Sequence, residues 1–159
     1  MFYKTHMTIR RAQYEDVLSI ADFIRAFADE HHALEESHKR GDEYRDIETT
    51  IGEWLRDRDV RLLVAEDVQG PVGYLRASVL ESASYAREKK IGMIDDVYVA
   101  PPHRKRGVLR ALLGEALAWF QKKRVPAVEL NVLVKNRDAI AAWRALGFED
   151  YKLRMRRML

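Results

Sequence analysis

Cysteine is absent from all 159 residues, which excludes disulfides, a thiolate nucleophile and cysteine-ligated metal. Glycine and proline are scarce, 8 and 4 residues, beside 47% hydrophobic and 33% charged residues. That excludes a collagen-like, low-complexity or disordered chain and predicts a packed core. Long apolar runs are missing too. The longest stretch free of Asp, Glu, Lys and Arg is Val68 to Leu75, whereas a bilayer span needs about 20 mainly apolar residues. Met1 to Arg10 lacks the apolar segment of a signal peptide. Nor is there a large excess of one charge: 28 Lys and Arg face 25 Asp and Glu, net +3. So small a surplus is no nucleic-acid footprint, though it leaves room for a local basic site. One cytoplasmic domain over residues 1–159 is expected, binding neither nucleic acid nor membrane, with about two-thirds of its unfolded surface buried.

What is present is alternating periodicity. Met7 to Arg11 reads as a strand, and Tyr14 to Glu30 as a helix with Val17, Leu18, Ile20, Ala21, Ile24, Phe27 and Ala28 on one face. His31 to Tyr44 is polar and reads as a loop or broken helix; Asp46 to Arg56 is again helical. Arg61 to Asp67 and Val72 to Leu80 form a hairpin about Gln69-Gly70. Ile91 to Val99 is a further strand, with Met93, Asp95, Val97 and Val99 predicted on one face and Ile94, Asp96 and Tyr98 on the other. Pro101-Pro102 ends it, and Val108 to Lys123 is an amphipathic helix. Val128 to Val134 is the next strand. Asn136 caps a helix over Ala139 to Leu146, Gly147 supplies a positive φ, and Tyr151 to Leu159 is expected as a last strand. The pattern predicts a mixed α/β domain with one sheet.

The segment from Ile94 to Leu113 carries the chemistry: a strand, a short basic loop with one glycine, then a helix start. The first N–H groups of a helix have no partner within it, and its macrodipole is positive there, so the geometry suits a diphosphate. Arg104, Lys105, Arg106 and Arg110 add charge, and Gly107 lets the backbone approach closely. Neither a Walker A motif nor a three-glycine dinucleotide fingerprint is present.

These residues resemble the GNAT superfamily of acetyl-CoA-dependent N-acetyltransferases. Arg104-Lys-Arg-Gly107 matches the start of the family's Gln/Arg-x-x-Gly-x-Gly/Ala cofactor motif, with Leu109 where Gly or Ala is usual. Asp96-Val-Tyr-Val99 matches its splayed cofactor strand, and Asn136-x-x-Ala139-Ile-x-x-Trp143-x-x-Leu-Gly-Phe148 its second motif. The resemblance implies a GNAT-like fold, a mixed, mostly antiparallel twisted sheet flanked by helices on both faces. It implies acetyl-CoA as co-substrate, bound by backbone groups of Val97, Tyr98 and Val99, by loop amides of Arg104, Lys105, Arg106, Gly107, Val108, Leu109 and Arg110, and by Asn136 and Trp143. An amine then attacks the thioester directly, which needs a neutral amine, an oxyanion donor and a proton for the leaving thiolate. Trp143 stands where the family usually has a tyrosine acid, and an indole N–H has no usable acidity. Solvent or Tyr98 is left to supply that proton.

Asp95, Asp96 and Glu129 are the candidate bases; Asp96 is preferred, with Asn131 orienting the amine. His31, His32 and His38 read as a polar substrate loop rather than a metal site, and no metal is expected. Trp54 and Trp119 read as core anchors. The alternating Lys152, Arg154 and Arg156 mark a solvated face or a homodimer edge. The sequence thus predicts acetyl transfer to a primary amine of a small molecule or a protein. A non-catalytic acyl-CoA-binding domain is the alternative.

Overall fold

A computed structural model describes residues 7–83 and 86–159. Its sheet has five strands, β1 (Thr8–Arg11), β2 (Val60–Asp67), β3 (Gly70–Glu81), β4 (Lys90–Val99) and β5 (Val128–Leu130), in that spatial order. The first four pair antiparallel, and β5 lies parallel to β4. A parallel neighbour needs a crossover. Helix α3 (Val108–Lys122) supplies it.

Helices cover both faces. Beneath one, α3 buries Val108, Leu112, Leu113, Ala116, Trp119 and Phe120 against Leu63, Ala65, Val72, Leu75, Ala77 and Ile94. Helix α4 (Arg137–Ala145) adds Trp143 to that layer. Beneath the other, α1 (Val17–Leu34) and α2 (Ile47–Arg56) bury Ile20, Ala21, Ile24, Ile47 and Ile51 against Leu62, Val64, Tyr74 and Tyr98. Alternation along β2 sends Leu62 and Val64 to one layer and Leu63 and Ala65 to the other, as a strand buried on both faces requires. The GNAT-like sheet flanked by helices on both faces is the fold the sequence predicts.

Helix α1 is preceded by a 3-10 turn, Tyr14–Asp16, and runs past the predicted end at Glu30 to Leu34, so His31 and His32 are helical. Arg10 ties its start to β1 by two bonds to Asp16, 2.7 and 2.8 Å, while Asp16 also accepts from the Gln13 N–H.

Two strand predictions need correction. The strand expected over Val128 to Val134 stops at Leu130, its ladder with β4 holding only three residue pairs. The strand expected over Tyr151 to Leu159 does not form, and Tyr151, Leu153 and Met155 are exposed. An alternating segment buries its apolar side only when a neighbouring strand offers an edge. With β5 ending at Leu130, no ladder reaches the tail.

A third correction concerns β4. Arg76 pairs with Asp96, but Ala77 pairs with Ile94, so Asp95 is the extra residue of a β-bulge. A bulge reverses the facing of everything beyond it. Ile94 therefore shares the α3 layer with Val97 and Val99, while Tyr98 joins the α1–α2 layer. The simple alternation expected from Met93 to Val99 is broken at Asp95.

Candidate active site

The last β4–β5 pair is Ile94 with Leu130. The residues that follow, Asp95 on β4 and Asn131 after β5, begin a gap along which β4 continues to Val99 with no partner on that side. Ala100 donates its N–H to Val72 on the β3 side. By the alternation of an antiparallel ladder, Tyr98 and Asp96 also turn toward β3, so the N–H and C=O of Val97 and Val99 face the gap. Freed backbone donors and acceptors on a diverging strand are a ready pairing edge for an extended amide-bearing ligand.

Directly beyond lies the basic loop. A 3-10 turn, Pro101–His103, leads through Arg104, Lys105 and Arg106 to Gly107, which precedes the first turn of α3. Lys105 and Gly107 have φ of 58° and 81°, both left-handed. Open space surrounds Gly107, so its φ, not crowding, favours glycine there. The loop is pinned from below by His103, whose Nε2 is 3.1 Å from Asp67 Oδ2 in the β2–β3 hairpin. The Asp67 carboxyl is held below its ordinary range, first by the Gln69 N–H and also by His103. Lys105, Arg106 and Arg110 are exposed and make no ion pair among the described residues. Arg104 behaves differently. Its Nε donates to the Val99 carbonyl at 2.8 Å, Nη2 meets Glu30 of α1 at 2.6 Å, and the guanidinium lies 5.3 Å from the Tyr98 ring centre.

The acidic pair of the bulge lies on the α1–α2 side. Asp96 is fully engaged: Oδ1 accepts from Arg76 Nε at 2.8 Å and lies 2.7 Å from Nη2 in an ion pair, and Oδ2 accepts from the Tyr74 hydroxyl. Arg76 in turn stacks 4.1 Å from the Trp54 ring centre. Asp95 lies 3.7 Å from Arg76, and its Oδ2 is buried with no hydrogen-bond partner. Burial raises the Asp95 carboxyl above the ordinary aspartate value, against the pull of the Arg76 charge. Tyr98 is buried beside Phe23, ring centres 5.6 Å apart, and burial followed by the Glu30 charge raises its phenol above the usual value.

The remaining predicted residues divide. Asn136 caps α4, its side-chain oxygen accepting from the Ala139 N–H at 3.2 Å. Val108 is buried under α3 and Leu109 packs against the same core, so the side chain at the unusual motif position turns away from the loop. Trp143 is a buried core residue with its ring edge-on to Phe148 at 5.3 Å. Asn131 is exposed just beyond β5, whereas Glu129 is within it, opposite Met93. His31 and His32 use their Nδ1 atoms on the carbonyls of Phe27 and His38, at 3.0 and 2.7 Å. Periodicity passed over Arg76, Tyr74 and Glu30. Arg76 had a signal, being the first charge after the longest uncharged stretch, within a strand buried on both faces.

A helix-flanked sheet with a parted β4 edge leading into a basic loop before α3 defines the class: an N-acetyltransferase fold. The model of the acetyltransferase (GNAT) family matches residues 20–148, and the chain belongs to that family. Among sequence relatives, an uncharacterized N-acetyltransferase of Methanocaldococcus jannaschii is 34% identical over 98 residues, 61% of this chain and 43% of that protein. The chain thus spans less than half the length of that relative. An aminoglycoside N(6')-acetyltransferase type 1 of Acinetobacter haemolyticus is 27% identical over 92 residues, 57% of this chain and 63% of that protein. Among solved structures, a mutant of the BH1408 protein from Bacillus halodurans superposes with a TM-score of 0.88 at 21% identity, over 96% of this chain and 99% of that one. The aminoglycoside N-acetyltransferase AAC(6')-Iy in complex with CoA gives 0.77 at 18% identity, over 99% and 98%. At these identities the structures share the fold.

Proposed function

We propose that this chain transfers the acetyl group of acetyl-CoA to a primary amine of a small molecule or protein by direct attack on the thioester. The observation that carries the reading is the edge of β4 at Val97 and Val99, which has no strand partner among the described residues and only the Val99 carbonyl taken, by Arg104, running into the loop before α3. In this reading the edge pairs with the pantetheine amides, and the amides from Lys105 to Arg110 hold the diphosphate with the charges of Lys105, Arg106 and Arg110. Asn136, whose side-chain oxygen is taken by the Ala139 N–H, would offer its side-chain N–H to the cofactor from the other wall.

The bulge supplies the base. Asp96 spends its lone pairs on Arg76 and Tyr74, whereas Asp95 keeps a buried oxygen without a partner and a raised pKa. That favours Asp95 over the Asp96 preferred from the sequence: it draws the proton from the incoming ammonium, directly or through a water, and Asn131 orients the amine. As the C–N bond forms, the nitrogen becomes cationic and gives up its second proton to water, and as the C–S bond breaks the thiolate leaves and takes up a proton. The thiolate of a thiol whose pKa is about 8.5 takes it readily from solvent. Tyr98, raised above its ordinary value, keeps its own proton and serves as a hydrogen-bond donor.

No helix among the described residues is long and apolar enough to cross a membrane; a cytoplasmic site of action belongs to the proposal. So does a homodimer, supported by the open edge of β5 and the exposed apolar side chains of the 151–159 tail. The acceptor belongs to the class of amines that includes those of aminoglycosides, given the named activity of one relative.

Calorimetry with acetyl-CoA followed by a thiol-release screen over amines tests the reading. Binding with amine-dependent release is expected. Absence of binding at submillimolar cofactor overturns it, and binding without release on any amine points to an acyl-CoA-binding domain instead.

A further inference from the structure

At the opposite end of the sheet from the loop before α3, three cations converge, none of them in an ion pair among the described residues. Arg61, near the start of β2, and Arg11 of β1 line a depression of about 140 Å³ together with Lys122, Trp119, Ala118 and Glu115 of α3 and Leu63 of β2. Strands β2 and β4 run parallel to one another, each antiparallel to β3, so the start of β2 lies far from the end of β4.

The arrangement is costly as it stands. Among the described residues none of Arg11, Arg61 and Lys122 makes an ion pair; the neighbouring Lys123 is the one that takes a carboxylate, Asp59 at 2.9 Å. The Nε of Arg61 is buried with no acceptor. The guanidinium lies 5.4 Å from the Trp119 ring centre, an attractive contact that does not satisfy the buried Nε–H. Burial and the charge of Arg11 both act against the charged form of Arg61. Lys122 has a local reason to be cationic, since it ends α3 where the dipole is negative. Arg11 donates to the Leu55 carbonyl in the last turn of α2, at 3.4 Å; the buried Nε of Arg61 has no such contact.

We propose that this depression is a binding site for a phosphate dianion, held by Arg61, Arg11 and Lys122 over the Trp119 ring. Charge balance selects the class. Three cations against the single carboxylate of Glu115 leave two positive charges, which a phosphate of charge about −1.5 to −2 at neutral pH neutralises. The planar guanidinium of Arg61 offers the fork that phosphate oxygens accept. The site is independent of the acetyl-transfer reading and shares no residue with the loop at Gly107.

The test is a titration of the full chain, at constant ionic strength and followed by proton–nitrogen NMR, with inorganic phosphate in one arm and glycerol phosphate in the other. Saturable shifts of the Trp119 indole N–H and the Arg61 Nε–H are expected. Saturation by both ligands identifies a site for phosphate monoesters, and by inorganic phosphate alone a site for the free ion. Arg61→Met, which keeps the apolar stem over Trp119, should weaken binding by about tenfold or more, the loss of charge-assisted hydrogen bonds. Lys122→Glu, on the exposed side, should do the same without disturbing the core. Trp119 signals that do not move with either ligand, or move equally in both variants, overturn the proposal. Shifts confined to amides of residues 104–110 show phosphate at the cofactor loop and likewise overturn it.

Discussion

Arg76 and Asp96 are direct partners across the β3–β4 ladder, and the guanidinium holds a single carboxylate oxygen by a hydrogen bond from Nε at 2.8 Å and an ion-pair contact from Nη2 at 2.7 Å. The neighbouring Asp95 receives only the more distant edge of the same guanidinium, at 3.7 Å. The bulge thus puts two carboxylates next to one cation and satisfies one of them.

That asymmetry predicts opposite outcomes for two substitutions. Asp95→Asn should lower kcat by about 100-fold or more, the usual contribution of a general base, while leaving acetyl-CoA affinity unchanged. It should not destabilise the fold. A carboxyl whose folded pKa is raised binds protons more tightly in the native state, so its ionisation costs stability as pH rises from the unfolded value through the folded one. Removing that charge should raise Tm at pH 7. Asp96→Asn should instead lower stability by about 2–3 kcal/mol, because it breaks charge-assisted bonds to Arg76 and Tyr74. Thermal melts and steady-state kinetics on both variants check the pair of signs.

The Asp16 carboxylate gives a pH dependence of the other sign. Burial opposes its ionisation, but the Arg10 guanidinium and the Gln13 N–H outweigh it and hold the pKa below the ordinary value. Its contribution to stability is complete above the unfolded pKa, near 4, and is lost as pH falls through the lower folded value. Asp16→Asn should therefore destabilise the chain at pH 7, and the gap between variant and parent should close in strongly acid solution. Denaturant titrations at a series of pH values measure this directly.

Gly107 precedes α3 at φ 81°, a conformation that costs a side-chain-bearing residue about 1–2 kcal/mol. With open space around it, Gly107→Ala should still fold. Stability should fall by about that amount, and the acetyl-CoA KM should rise because the loop amides are re-aimed. An unchanged KM would remove the loop from the cofactor site.

The loop cations should separate by position. Arg106→Glu should weaken acetyl-CoA binding by about tenfold or more through the loss of one charge-assisted contact and the gain of a repulsion. Arg104→Gln gives up the contact to Glu30, along with whatever Arg104 contributes to the diphosphate, while retaining a donor for the Val99 carbonyl. Its effect on cofactor affinity should be smaller than that of Arg106→Glu. Calorimetry ranks the two variants.

Local pattern was enough to place most elements. The helical spacing of Ile47, Ile51 and Leu55 marks α2, the run of Arg61 to Asp67 marks β2, Asn136 marks the start of α4, and Pro101-Pro102 with the basic residues that follow marks the loop between β4 and α3. These features are legible because each rests on interactions between residues close along the chain: caps, turns, and the period of one buried face.

The tertiary structure decided what depends on a partner. Whether β5 ended at Leu130 or at Val134 depended on how far β4 stayed beside it, and whether 151–159 became a strand depended on an edge that β5 does not offer. The facing of Asp96 and Tyr98 turned on one unpaired residue, Asp95, whose insertion shows only in the register against β3. Ladder registers join residues distant in sequence, so no local period encodes them. The sequence by itself determined which chemical groups stand near the gap. The register of β3 against β4 decided that Asp96 is held by Arg76 and Tyr74 and that Asp95 keeps a free oxygen.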